Sequence, residues 1–214
     1  MGTFSNFKRL TTLSLASCGL TGKFPKTIFQ IGTLSFIDLS FNYNLHGSFP
    51  EFPPGGSLQT LRVSDTSFSG AFPYSKGNMR HLSELDLSNC KFNGTLPNSL
   101  SNLTELGYLD LSSNSFTGPM SSFSMAKDLT HLDLSHNRLS GEISKYSHFE
   151  GLHNLVSIDL RDNSIDGSIP SSHFALASPQ KIQLSSNQFN KFDEFINVSS
   201  SSVHFLSSIF PLTG

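Results

Sequence analysis

Eight histidines, two cysteines, a row of evenly spaced aspartates and abundant serine are the parts of this 214-residue chain that could do chemistry. Metal ligation asks for His and Cys at short paired spacings or on one helical face. The histidines hold no such spacing to Cys18 and Cys90, and His131 and His136 fall on an expected strand and its exit. Nucleophilic catalysis on a sharp elbow asks for G-x-S-x-G, which no serine occupies. Gly55-Gly56 is an isolated pair in a proline-rich turn, not a loop that cradles phosphate. Asp38, Asp86, Asp110, Asp133 and Asp159 each precede a leucine in a recurring phrase, and read as solvated scaffold aspartates rather than a cation site. No catalytic residue, metal or cofactor is therefore expected. Three N-x-[ST] sequons, at Asn93, Asn102 and Asn197, are the remaining chemistry. Asn93 and Asn102 are expected off the main sheet, on exposed positions suited to glycosylation in a secreted chain.

The elements that position these residues are set by a repeat. The phrase L-x-x-L-x-L begins at Leu10, Leu34, Leu58, Leu82, Leu106, Leu129 and Leu155, and an eighth copy begins at Pro179 in place of leucine. The steps are 24, 24, 24, 24, 23, 26 and 24 residues. A fixed period in this range predicts a leucine-rich solenoid, an α/β-type horseshoe with a parallel concave sheet and an irregular or short-helical convex side. Each phrase supplies one short strand whose alternate leucines point inward. Eight strands at roughly 4.8 Å spacing give a sheet on the order of 35 Å across.

Eight residues into each repeat stand Cys18, Asn42, Thr66, Cys90, Asn114, Asn137, Asn163 and Asn187. The chain bends inward there, and a ladder of small polar side chains is expected to satisfy the backbone of neighbouring coils, with Thr and Cys as weaker substitutes. Two residues on in most coils, Leu20, Leu45, Phe68, Phe92, Phe116, Leu139, Ile165 and Phe189 form an apolar spine. A glycine such as Gly94 and a proline such as Pro25, Pro50, Pro73, Pro97 or Pro170 then end the ladder and pre-set the convex turn. The second repeat carries one extra residue, and its convex part, Glu51 to Gly56, reads as irregular. The spacing assigns residues 10–202 to eight repeats, 1–9 to the convex tail of another coil that includes Phe4 and Phe7, and 203–214 to a broken ninth phrase. An interior piece of a longer chain is expected.

Charged residues make up 14% of the chain and the net charge is −2, which leaves neither a basic stripe for nucleic acid nor an acidic tail. No apolar run is long enough to span a bilayer, and the first residues do not read as a secretory signal.

The wording L-x-x-L-x-L-x-x-N-x-L-x-G-x-I/F-P resembles the plant-specific class of leucine-rich repeats in the extracellular parts of receptor-like kinases and receptor-like proteins. Gly47-Ser48-Phe49-Pro50-Glu51-Phe52-Pro53, Leu61 to Gly70 and Ile182 to Phe189 are similar to the Verticillium-wilt resistance receptor-like proteins. The similarity runs from about Phe4 to about Val203. It implies a ligand-recognising piece of a plasma-membrane immune receptor on the extracellular side. Its partners would be a protein or peptide ligand and a co-receptor kinase. A polygalacturonase-inhibitor-like protein and a receptor-like kinase ectodomain share this repeat and stay open.

On such a solenoid the solvent positions between strand leucines form a row, Thr12, Phe36, Thr60, Glu84, Tyr108, His131, Ser157 and Lys181, with a second row at the strand exits. Aromatic, Arg and His types anchor interfaces. The expected binding residues are Phe36, Arg62, Glu84, Tyr108, His131, His136, Arg161 and Asp162. Cys18 and Cys90, three coils apart at roughly 15 Å, are too distant for a disulfide and are expected to be free and buried.

Overall fold

Two parallel sheets run side by side along the computed structural model, which describes residues 7–74, 79–143, 149, 151–169 and 179–192. The first sheet is made of β1 Thr12–Ser14, β3 Phe36–Asp38, β5 Thr60–Arg62, β7 Glu84–Asp86, β9 Tyr108–Asp110, β11 His131–Asp133, β13 Ser157–Asp159 and β15 Lys181–Gln183, paired in that order. Its register joins Thr12 to Phe36, Thr60, Glu84, Tyr108, His131, Ser157 and Lys181 in one line, the row expected from the repeat. The middle residue of each of the six inner strands, such as Leu61, Leu85, Leu109 or Ile158, is buried, while Leu13 in β1 and Ile182 in β15 are half-buried.

The second sheet is not foreseen by the repeat reading. It comprises β2 Thr21–Lys23, β4 Asn44–Gly47, β6 Ser67–Ala71, β8 Lys91–Thr95, β10 Ser115–Gly118, β12 Arg138–Glu142, β14 Ser164–Ile169 and β16 Gln188–Phe192. These strands take up the stretch after the ladder residue, where spine and glycine were expected to make only a bend. Stacking aligns the backbones of successive coils, so their N–H and C=O groups pair coil to coil rather than turning to water.

Between the two sheets each chain turns at a non-glycine residue with positive φ, namely Ser17, Phe41, Asp65, Asn89, Ser113, His136, Asp162 and Ser186, all between 51° and 57°. The ladder follows immediately. Asn137 donates to the Leu111, Leu134 and Ser135 carbonyls and accepts from the Phe116 N–H at 3.0 Å. Asn42, Asn114, Asn163 and Asn187 repeat this arrangement, each accepting from the spine N–H of the previous coil. Thr66 and Cys90 receive no spine N–H from the previous coil, although Cys90 Sγ lies 3.3 Å from Thr66 Oγ1, and the reason is local. The extra residue in the second coil lets the Leu45 N–H donate to the Asn42 carbonyl, and the Phe68 N–H donates to Thr66 Oγ1. No spine N–H is left for an asparagine at 66 or 90 to receive.

Both cysteines are free, as the spacing requires, but burial differs from expectation. Cys90 is half-buried, its thiol pushed up by burial and drawn part of the way back by Thr66. Cys18 is exposed and donates to the Ala16 carbonyl within its own coil, and no described coil packs before it.

The core is a column of aromatic and aliphatic side chains. Phe68, Phe92, Phe116 and Leu139 are essentially fully buried, whereas Leu20 and Phe189, in the first and last described coils, are only partly so. Phe92 lies between Phe49 and Phe116, with ring centroids 5.2 and 6.3 Å away and nearly parallel planes. On the convex side, Pro25 and Pro97 precede short 3-10 helices at Lys26–Gln30 and Asn98–Asn102. Residues 51–56 are irregular, as their composition predicts. Pro170, Phe4, the sequon at Asn197 and the broken phrase of 203–214 lie outside the described residues.

Candidate ligand-binding face

Side chains that leave the first sheet toward solvent fall into neighbouring columns. One column is the row of Phe36, Glu84, Tyr108 and His131. The next, two residues on, holds Asp38, Arg62, Asp86, Asp110, Asp133, Asp159 and Gln183, again in strict register. These carboxylates are not solvated as the composition suggested. Asp38 and Asp159 are buried, and Asp86, Asp110 and Asp133 are half-buried. Each accepts a hydrogen bond from the backbone N–H two residues on: Ser40, Ser88, Ser112, Ser135 and Arg161. The local turn holds the carboxylate down against the sheet.

Two arginines in this face are engaged from within. Arg62 makes a two-pronged contact with Glu84 at 2.7 and 2.9 Å, lies 3.7 Å from Asp38, and sits with its guanidinium carbon 5.9 Å from the centre of the Phe36 ring. The Glu84 hydrogen bond, ahead of the surrounding charges, holds Arg62 more firmly protonated than a free guanidinium. Arg161 folds onto the Asp159 carboxylate at 2.8 to 3.0 Å, which acts on its charge in the same direction. The geometry thus gathers Phe36, Arg62 and Glu84 into one cluster on the earlier coils. Glu84 remains the register partner of Tyr108, but its carboxylate is committed to Arg62.

Between the arginines the face has a different character. Tyr108 and His131 lie with ring centroids 5.8 Å apart, tilted by 35°, and Thr130 Oγ1 is 2.9 Å from His131 Nδ1. Beside them Asp86, Asp110 and Asp133 follow one another on adjacent strands. Burial first, then Asp133 and Asp86, push the Asp110 carboxyl up to about 6, against two lowering hydrogen bonds from Ser112. Its own burial first, then Asp110, Asp86, Asp133 and Glu84, push the Tyr108 phenol up to about 12. At the corner of the face His136 Nδ1 lies 3.1 Å from Asp162 Oδ2, which links two successive coils. The expected binding residues therefore divide into the Arg62 cluster, the Tyr108–His131 pair, the His136–Asp162 pair, and Arg161 folded on Asp159. Sequence reasoning passed over Asp110 and its neighbours because their phrase repeats in every coil. The signal available was that five of eight coils place an acid at this position, and packed strands bring equal charges together.

Two family models described as leucine rich repeat match residues 56–116 and residues 9–31, 128–147 and 154–176, together more than half of the chain. The chain belongs to the leucine-rich-repeat family. Among curated proteins, the leucine-rich-repeat chain is 43% identical over 84 residues to Receptor-like protein 6 of Arabidopsis thaliana, which spans 39% of this chain and 8% of that protein. It is 37% identical over 84 residues to Receptor-like protein 9DC1 of Solanum pimpinellifolium, 38% of this chain and 9% of that protein. These alignments take in less than a tenth of the relatives' own length. Among solved structures, the Arabidopsis receptor kinase HAESA, in complex with the peptide hormone IDA and the co-receptor SERK1, superposes with a TM-score of 0.76 at 30% identity. That superposition covers 86% of this chain and 31% of HAESA. A plant ice-binding protein superposes with a TM-score of 0.66 at 29% identity, over 80% of this chain and 54% of that one.

Proposed function

We propose that this chain is the ligand-recognising part of the ectodomain of a plant cell-surface receptor-like protein, held at the plasma membrane and signalling through partner kinases. One observation carries this reading. Repeats similar to those of receptor-like proteins are stacked so that the Tyr108–His131 pair, the His136–Asp162 corner and the arginine clusters lie on one continuous open sheet face. A solenoid of this kind adds many small contacts into one binding surface. Half-buried Tyr108, exposed His131 and the ionic side chains around them are the types from which interface anchors are drawn. A protein or peptide is the class of ligand that fits a face of this length, and HAESA holds a peptide hormone and a co-receptor on the same kind of scaffold.

The test places Tyr108→Ala and His131→Ala together in the full receptor and compares it with wild type at matched surface abundance. Plants expressing each would be challenged with pathogen culture filtrate, and the oxidative burst and co-purification of a partner kinase recorded. Loss of both responses is expected from the double variant. A normal response from a receptor at normal surface levels would reject this face as the recognition site.

A further inference from the structure

Among the described residues, five large apolar side chains stand exposed, and one of them, Tyr74 at 60% exposure, lies beside a glycosylation sequon. Its hydroxyl is 3.4 Å from Oγ1 of Thr95, the third residue of Asn93-Gly94-Thr95. Asn93 and Thr95 both belong to β8, are both exposed, and lie two residues apart on its outward side, with buried Phe92 on the other. Two strand residues span about 7 Å, within the reach of a single sugar ring. The register neighbours of Asn93 across the sheet are Ala71 on one side and Ser115 on the other, both small. The surface therefore offers an acceptor amide, a flat floor of small residues and an aromatic ring at the edge.

We propose that Asn93 carries an N-linked oligosaccharide whose first N-acetylglucosamine rests against the Tyr74 ring, covering the middle of the second sheet. In the transfer, the Asn93 side-chain nitrogen forms a bond to C1 of the sugar and loses a proton. The C1–O bond to a lipid pyrophosphate donor breaks, and the pyrophosphate leaves with the electron pair. Tyr74 then gains an apolar partner through the C–H face of the sugar, which accounts for an aromatic side chain left open just beyond the end of β6 and against β8. Asn102, also exposed but at the end of a 3-10 helix, is the natural comparison site. The inference rests on the proposed secretory route, since only that route supplies the donor.

The test uses the complete chain as the cell makes it, secreted from plant cells, with site occupancy read from glycopeptide masses in the Asn93→Gln and Asn102→Gln variants. Hydroxyl-radical labelling then reports the solvent exposure of Tyr74, with exposed Tyr43 as internal reference. The expected result is Asn93 occupied and Tyr74 labelled several-fold more slowly in the glycosylated chain than in Asn93→Gln. Trimming with an endoglycosidase that leaves one N-acetylglucosamine should retain the protection, and Tyr43 should not change. An occupied Asn102 with a bare Asn93, or equal labelling of Tyr74 with and without the glycan, would overturn the proposal and leave secretion intact. A secreted chain bare at both sites overturns the proposal as well, whereas failure of the chain to reach the medium would reject the secretory reading instead.

Discussion

Asp110 shows what stacking does to a single side chain. In an isolated coil its carboxyl would meet water; in the sheet it is covered on both sides and faces Asp86 and Asp133. A folded-state value of about 6 lies above the ordinary 3.8, so the native state holds the proton more tightly than the unfolded chain. The associated stability is fully present below about pH 4 and is lost as pH rises through about 6. Replacing Asp110 with Asn keeps an acceptor for the Ser112 N–H and removes the charge. Asp110→Asn is expected to be more stable than wild type at pH 7.5 by about 1–3 kcal/mol, with the difference closing by pH 4. Urea melts at the two pH values measure it, and an equal difference at both would show that the carboxyl is not under strain from its charge.

At the scale of the element, the spine is where sequence and structure agree most closely. Phe92 is closed in by Phe49 and Phe116, and truncation would leave a hole that neither rigid ring can fill. Phe92→Ala is expected to cost about 3–5 kcal/mol, and Phe92→Leu markedly less, as read by denaturant midpoints. The concave strands, the ladder and this spine were legible because each depends on a residue type recurring at one place in the period. The second sheet was not. Buried parallel strands usually read as continuous apolar runs, whereas Lys91-Phe92-Asn93-Gly94-Thr95 alternates polar residues around a single inward Phe and includes a glycine with φ of 82°. Such wording is indistinguishable from a turn until neighbouring coils supply hydrogen-bond partners. The ion pairs of the candidate face were hidden for a related reason. Arg62 could have turned to solvent, and only the register that sets it beside Glu84 decides otherwise.

For the molecule as a whole, each coil is buried by its neighbours, so the first and last described coils pay for the regularity. Leu13, Leu15 and Leu20 at one end, and Ile182 and Phe189 at the other, are only partly covered. Produced as an isolated 214-residue polypeptide, the chain is expected to associate in a concentration-dependent way, since these partly covered apolar side chains lie at the ends of the two described sheets, where terminal coils of a solenoid depend on polar cover. Sedimentation velocity across a dilution series is the measurement, and a single monomeric boundary throughout would contradict it. The positive-φ corners bear on a different property of the assembled molecule. Because backbone angles there are nearly the same in every coil, their side chains leave the scaffold in parallel, one per coil, at roughly 4.8 Å intervals. The occupants range from Ser17 to Phe41, Asn89 and His136, and the conformation requires none of them in particular beyond a tolerance of the left-handed region. Each coil thus adds one letter to a line of text whose spacing is fixed and whose spelling is free. The molecule can be rewritten along that line without being reshaped, which is the property a recognition surface needs when what it recognises keeps changing.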